Sequence, residues 1–568
     1  MSGNISKRRR NVLACDVCRG RRTKCDGRRP KCAFCEKHNT DCVYRELPPP
    51  SSRIESEIVK IRERLDNIDC LLSARQHASA NAPGLSTSET SRIEFQREEE
   101  MCETQEAIPD FPYMTIKTPS MMNIIGLDSD LGAWITGVER AAFPTLPRSG
   151  GSRVVVFQHE NVMSSLAAFS EKIHVWYPIL EPSFSDGFAR STADLHFNSS
   201  NSCLSLLVVA IGSLAKHHSI TTALNERPDA PYIEAALAFL PTVMIESSVR
   251  ALQCLILFSV YYLCLLKPYQ AHDYILTASL KAQNLLRSGS LEPQQLEFAR
   301  RSFWSILLIE TELAVQLDLV DSGIWKHEND ISLPSGDETW NYGLSSPSNG
   351  YANSPKSAVS SESISDEVLS YLLAEIAMRR MLQRCTVSIS NTINGKLVYA
   401  PIIAAELELQ LEQWYEYLPA PLRWNRFNAI DNSSTSTCKF LRTQYYAYKT
   451  SIFWPAVYQA IESGVSDDDL LEYCQKFFTS YTYFTESAVS VLPHCMPNAW
   501  TLHTSIFIMT MAALKAVNTP CLFSHVSPEV LESIDIAADA FGDVKLFSPS
   551  LAAMQEFLHQ AVARGRRY

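Results

Sequence analysis

Six cysteines, Cys15, Cys18, Cys25, Cys32, Cys35 and Cys42, follow the spacing C-x(2)-C-x(6)-C-x(6)-C-x(2)-C-x(6)-C in this 568-residue chain, so one triplet is written twice, seventeen residues apart. Thiolates at such intervals are metal ligands, and an all-sulfur set suits tetrahedral zinc. Two tetrahedral ions demand eight coordination positions, two more than six thiolates fill singly. Two sulfurs must therefore bridge, and one from each triplet gives a pseudo-symmetric cluster in which neither ion has an open position. A closed zinc site holds structure and does no catalysis.

What such a site would present is set by the charges around it. Residues 1–45 hold thirteen Lys and Arg against four acids, a net of +9, while the whole chain carries −11, which leaves −20 on the remaining 523 residues. Two zinc ions and six thiolates lower the N-terminal figure to +7 and keep it strongly positive. An electrostatic footprint on phosphate belongs to this end alone, and the acidic remainder would repel DNA. A short helix starting near Cys18 projects Arg21 and Arg22 from its exposed side. Arginine there can pair with the O6 and N7 acceptors of guanine in a major groove, which makes G-rich half-sites the natural target. The run Lys7, Arg8, Arg9 and Arg10 in the basic tail 1–14 reads as a nuclear localisation segment.

Residues 14–44, ACDVCRGRRTKCDGRRPKCAFCEKHNTDCVY, resemble the fungal six-cysteine binuclear zinc cluster of transcription factors, with all six ligand positions matched in the module 15–42. The resemblance implies that Cys15 and Cys32 are the bridging ligands and that Pro30 is the loop proline. It also implies that Arg19, Arg21, Arg22 and Lys24 form the DNA-contacting set, that CGG-like triplets are read in double-stranded DNA, and that two copies bind paired half-sites as a homodimer. His38 is expected to be a surface histidine, since six cysteines already satisfy both ions.

The elements that must position this module follow it. Residues 43–53 carry Pro48, Pro49 and Pro50 and form a semi-rigid, Pro-rich linker. Beyond it Ile54, Ile58, Ile61, Leu65, Ile68 and Leu72 recur at intervals of four and three. That pattern predicts a short coiled-coil dimerisation helix over 54–74 with a seam of about 28 Å. In a parallel pair Glu57 meets Arg62 and Arg64 meets Asp69, both attractive.

Residues 75–155 lack a sustained period and read as a flexible linker. From 156 onward, apolar and aromatic stretches with helical spacing dominate, at 203–217, 250–266, 295–319, 367–389, 404–418, 439–463, 468–492 and 502–517. The fold class expected is mainly α: a zinc module, a coiled coil, then a large all-helical regulatory domain. That domain divides into 156–335, a Ser-rich disordered insertion at 336–366, and a C-terminal part at 367–568. Two stretches, 173–184 and 299–324, resemble the fungal transcription factor regulatory region, although Leu319, Val320 and Asp321 stand where a Gly-Arg-Pro-like turn is usual.

Several tempting features read as core. The apolar stretch 250–266 is shorter than the roughly 20 residues a membrane span needs, so no membrane partner is expected. Ten further cysteines show no ligand spacing and are expected to be buried thiols in a reducing compartment. The aromatic cluster His174, Trp176 and Tyr177 is expected to be core, and Glu310 and Glu312 fall on different faces of a helix. No Gly-rich phosphate loop or nucleophile elbow is present, so no enzyme is expected.

Together these residues predict a nuclear, zinc-dependent DNA-binding regulator of RNA polymerase II genes, an activator of a metabolic or biosynthetic gene cluster. Its partners would be DNA, a second copy of the chain, the transcription machinery and a small-molecule effector. The competing expectation is a ligand-binding or scaffold helical protein that the zinc cluster tethers to chromatin.

Overall fold

Residues 15, 17, 18, 21, 23–28, 30–42, 119–142, 158–193, 199–317, 319–335, 339–340, 357–389, 399–426, 434–464 and 468–565 are described by the structure, a computed structural model. It divides into two units, 1–102 and 103–568. The basic run Lys7 to Arg10, the Pro-rich linker, the seam Ile54, Ile58, Ile61, Leu65, Ile68 and Leu72, and the side chains Arg19 and Arg22 lie outside the described residues.

Two helices of the larger unit, Ser200–Ala215 and Val249–Cys264, are apolar around nearly their whole circumference and buried along nearly their whole length. A helix with no polar face has to be surrounded. Each begins on a serine N-cap: Ser199 Oγ accepts the Ser202 N–H at 3.4 Å, and Ser248 Oγ accepts the Ala251 N–H at 3.1 Å. The helices His159–Lys172, Ala230–Ala238, Pro268–Arg287 and Pro293–Gln316 pack around this pair. At Gly212 the approach is so close that an added Cβ would sit 2.1 Å from the Ser165 carbonyl oxygen, so only glycine permits that crossing.

In the C-terminal half, Ser436–Ser463 pairs with Asp468–Val491, the first ending on Gly464 in the left-handed conformation at φ 63°. Ala499–Val517 packs against Pro528–Asp539 and Pro549–Gly565. One continuous apolar core runs from Met121 to Leu558, so 156–335 and 367–568 are parts of a single unit. Aromatic contacts tie them: the Trp176 ring lies 5.5 Å from Tyr371 and 5.2 Å from Phe440. The Tyr177 hydroxyl donates to Asn498 Oδ1 at 3.0 Å, and Glu312 pairs with Arg379. No strand occurs among the described residues, and all eight helical stretches read from the sequence are present within a few residues, except that the fourth begins earlier, at Ser357.

Two expectations are corrected. The supposed flexible linker 75–155 contains the helices Pro119–Ile124 and Leu131–Ala141. Leu131, Ile135 and Glu139, spaced four apart, are buried in the body. The Glu139 carboxylate accepts from Ser548 Oγ at 2.6 Å and from the Ser550 backbone N–H at 3.1 Å, anchoring this helix to the start of Pro549–Gly565. The supposed disordered insertion 336–366 holds Trp340, 1% exposed, whose indole N–H donates to Ser185 Oγ at 2.8 Å. Its last ten residues belong to the helix Ser357–Ile389. A single buried tryptophan outweighs the serine content around it, because burying that much apolar area stabilises by on the order of 2–3 kcal/mol.

The stretch 250–266 is core, as expected. Met496–Val517 is long and apolar enough to cross a membrane by length and composition, but 89% of its most apolar window is buried inside the body. Glu310 accepts from the Ser322 N–H and hydroxyl, while Glu312 faces Arg379, so the two carboxylates do different work on different faces.

Candidate metal centre and nucleic-acid interface

The duplicated triplet folds as a duplicated structure. In the first half, the Arg21 N–H donates to the Val17 carbonyl at 3.0 Å and Thr23 N–H to Cys18 at 3.0 Å. In the second, seventeen residues on, His38 N–H donates to Phe34 at 3.1 Å and Thr40 N–H to Cys35 at 3.0 Å. The second half is one helical turn, the described residues of the first repeat its hydrogen bonds, and in both the first two cysteines of the triplet come together. The second turn, Ala33–Lys37, uses Cys32 as its N-cap residue and is held by Asp26, whose Oδ1 accepts the Ala33 N–H at 3.0 Å.

These turns converge their sulfurs. Cys15, Cys18, Cys32 and Cys35 are fully buried, with Cys15 Sγ 3.7 Å from Cys32 Sγ and 3.6 Å from Cys35 Sγ, and Cys18 Sγ 3.6 Å from Cys32 Sγ. A zinc tetrahedron with bonds of about 2.3 Å has edges of about 3.8 Å, so these separations fit ligands of one ion without rearrangement. The cross-contacts are informative: Cys15 of the first half touches Cys35 of the second, and Cys32 of the second touches Cys18 of the first. A sulfur shared by two ions must neighbour ligands from both halves. Cys25 approaches Cys32, with Asp26 beside them, and Cys42 Sγ accepts the Cys32 N–H at 3.3 Å, which places both third cysteines against the same residue.

Protons oppose this crowding. Burial pushes the Cys15 thiol far up. Cys32, against the pull of the Cys35 backbone N–H, is pushed up to about 12 by burial and the neighbouring thiols. Cys35 goes the other way, burial there being outweighed by hydrogen bonds with Cys32, Thr40, Cys15 and Cys42, and a cation among the sulfurs would release the protons of Cys15 and Cys32 at neutral pH.

Outside the cage, Arg21 is exposed one turn beyond Cys18, and Lys24 is exposed beside Cys25. Neither enters an ion pair among the described residues, unlike Arg28, which lies 3.5 Å from Asp26. His38 is exposed and packs its ring 4.5 Å from that of Phe34, a surface role as expected. The capping Asp26 and the Phe34–His38 contact were not anticipated. The seventeen-residue offset carries a signal for the second, since it predicts a helical turn after Cys32 that sets Phe34 and His38 four residues apart on one face, whereas the Asp26 cap has no counterpart in the first half.

A closed sulfur cage bearing exposed arginine and lysine, together with a separate all-helical body, defines a class of metal-organised DNA-binding regulators. Residues 13–51 match the fungal Zn(2)-Cys(6) binuclear cluster domain, and residues 166–416 match the fungal specific transcription factor domain. The chain is 36% identical over 584 residues to a putative transcription factor ecdB of Aspergillus rugulosus, an alignment covering 99% of this chain and 100% of that protein. An ABC-transporter-regulating transcription factor of Aspergillus oryzae is 39% identical over 74 residues, 12% of this chain and 8% of its own. The maltose fermentation regulatory protein MAL33 of Saccharomyces cerevisiae is 40% identical over 67 residues, 11% of this chain and 14% of its own. No solved structure gives a significant match. The chain belongs to the fungal Zn(2)-Cys(6) binuclear cluster transcription factors, a family whose cluster domain binds two zinc ions and whose members act on DNA as transcriptional regulators.

Proposed function

We propose that this chain is a nuclear, sequence-specific activator of RNA polymerase II genes, in which Cys15, Cys18, Cys25, Cys32, Cys35 and Cys42 hold two zinc ions and Cys15 and Cys32 are shared between them. Arg21, with Arg19, Arg22 and Lys24, reads CGG-like triplets in the major groove. Two copies pair through Ile54, Ile58, Ile61, Leu65, Ile68 and Leu72, and Lys7, Arg8, Arg9 and Arg10 direct import. The acidic helical body regulates this activity and contacts the transcription machinery. Control of metabolic genes is favoured by the maltose fermentation regulator among the relatives, whose match covers 11% of this chain.

The observation that carries the reading is the cross-contact of Cys15 with Cys35 and of Cys32 with Cys18, with Arg21 exposed one turn beyond. Selection from random duplexes with the zinc-loaded full-length protein tests it. Paired CGG-like triplets should be enriched, and the enrichment should vanish after chelation. A pool without such triplets, or the same pool from thoroughly demetallated protein, would overturn the reading.

A further inference from the structure

A pocket of about 840 Å³, partly open to solvent, lies in the helical body where its N-terminal and C-terminal halves meet. That volume lies within the roughly 300–1,000 Å³ typical of small-molecule sites. Its walls come from segments far apart in sequence: 167–176, 215–220, 339–340, 367–368, 435–437 and 493–496.

The chemistry of the wall is largely neutral. His174 is buried, and its Nε2 accepts the Leu180 N–H at 3.2 Å. Burial, helped by the Arg301 charge, brings its pKa down to about 3, so the ring is uncharged and its single proton resides on Nδ1, a fixed donor. Burial, Lys439 and Lys172 likewise push the pKa of His494 down. The two indoles on the wall have spent their N–H groups elsewhere, Trp176 on the Lys172 carbonyl at 2.9 Å and Trp340 on Ser185 Oγ at 2.8 Å. What they can offer is carbon surface. The Lys172 ammonium donates to the Ala215 carbonyl at 2.8 Å, capping the helix end, and Glu171 and Glu367 also line the cavity, which disfavours an anion. Thr339 is 6% exposed, and its hydroxyl has no hydrogen-bond partner among the described residues. A buried hydroxyl left so costs about 1–3 kcal/mol, which an oxygen-bearing occupant of the cavity would recover.

We infer that this cavity binds an uncharged small molecule with an apolar, ring-containing body and a carbonyl or hydroxyl oxygen, which accepts the His174 Nδ1 proton and pairs with the Thr339 hydroxyl. The inference rests on the reading of the helical body as the regulatory part of the protein. Because the occupant touches both halves, its binding stabilises the body as a unit by mass action.

Nile red, an uncharged polycyclic dye with a ring carbonyl, is a direct probe, and Nile blue is its cationic analogue lacking that oxygen. Titrated into the zinc-loaded full-length protein, Nile red should show saturable fluorescence at one dye per chain, and Nile blue should bind at least about tenfold more weakly. Ala167→Phe and Val368→Trp, which fill the cavity from half-buried positions, should each weaken Nile red by more than about tenfold. Thr339→Val should weaken it by about fivefold. Helical content by circular dichroism shows that each variant is folded, and binding of a duplex with paired CGG-like triplets reads the N-terminal module separately, so failure of one reading is distinguishable from failure of the other. Non-saturable dye binding, equal binding of both dyes, or unchanged Nile red affinity in both folded filling variants would overturn the inference.

Discussion

Cysteine is buried in both units, but its neighbours differ. In the N-terminal module Cys15, Cys18, Cys32 and Cys35 lie sulfur against sulfur at 3.6 to 3.7 Å. In the helical body Cys254 donates to the Ser200 carbonyl at 3.3 Å, Cys203 to Ala236 at 3.6 Å and Cys495 to Leu492 at 3.7 Å. A thiol beside a carbonyl keeps its proton, and burial pushes Cys474 and Cys495 up to about 12, so these side chains behave as small apolar residues. The module has few other apolar groups, with only Val17 and Phe34 packed beside its cysteines among the described residues. Its folding energy has to come from coordination, whereas the body's comes from a core extending from Met121 to Leu558.

Metal removal should break this comparison most visibly. Chelation is expected to unfold the module, lower specific DNA affinity by more than about a thousandfold and expose its six cysteines to alkylation, while the body's melting transition and its buried thiols stay unchanged. Mass spectrometry of alkylated peptides checks it, and equal labelling of Cys474 and the module cysteines would sink the contrast. Sharing of sulfur sharpens the same point. Cys32→Ala should leave almost no zinc, because a shared ligand serves both ions, whereas Cys42→Ala should retain about one ion per chain. Equal metal content in the two variants would show that Cys32 is an ordinary terminal ligand.

Perturbing the body should leave zinc content untouched. Gly212→Ala places a methyl group 2.1 Å from the Ser165 carbonyl oxygen, so the helices must separate. The expected loss is about 3 kcal/mol, read from thermal or denaturant unfolding. Glu139→Ala leaves Ser548 and Ser550 without their buried acceptor and should cost about 2 kcal/mol. If that variant melts like the parent protein, the helix Leu131–Ala141 does not contribute to the body's cooperative core.

What the sequence disclosed differs between the units for a physical reason. Zinc coordination fixes residue type and spacing together, so the sequence marks six candidate ligands one by one, and the structure gathers the sulfurs of Cys15, Cys18, Cys32 and Cys35. The long helices around Leu207 and Leu257 were legible because continuous apolar composition at helix length has few other solutions. The short helix carrying Ile135 was not, since the only large buried side chains on it are Leu131, Ile135 and Glu139, and the last is an acid that only distant partners at Ser548 and Ser550 explain. Trp340 was hidden likewise by the serines beside it, its partner Ser185 lying 155 residues away. Pairings of high sequence separation leave no local period. The cavity at His174 shares this property: the sequence marks an aromatic core cluster there, and only the assembled halves show that part of it faces open space.

The smallest effect expected concerns the two kinds of positive charge that the proposed function sets against DNA. Arg21 is exposed one turn beyond a metal ligand, so its guanidinium is carried by a rigid frame and can hold a bidentate geometry on guanine. Arg21→Ala should therefore weaken binding to a CGG-like site by about tenfold while barely changing affinity for unrelated duplexes, which relaxes specificity at one triplet position. Lys7 lies in the basic tail assigned above to import, and a lysine there that also meets DNA would do so through phosphate and counterion release alone. Lys7→Ala should weaken all duplexes evenly and lower the slope of log affinity against log salt by about 0.9 for each phosphate no longer neutralised. Fluorescence anisotropy across a series of salt concentrations with matched and scrambled duplexes separates the two. A salt-slope change without loss of specificity in Arg21→Ala would place that side chain on the backbone and shift triplet reading to its neighbours Arg19 and Arg22.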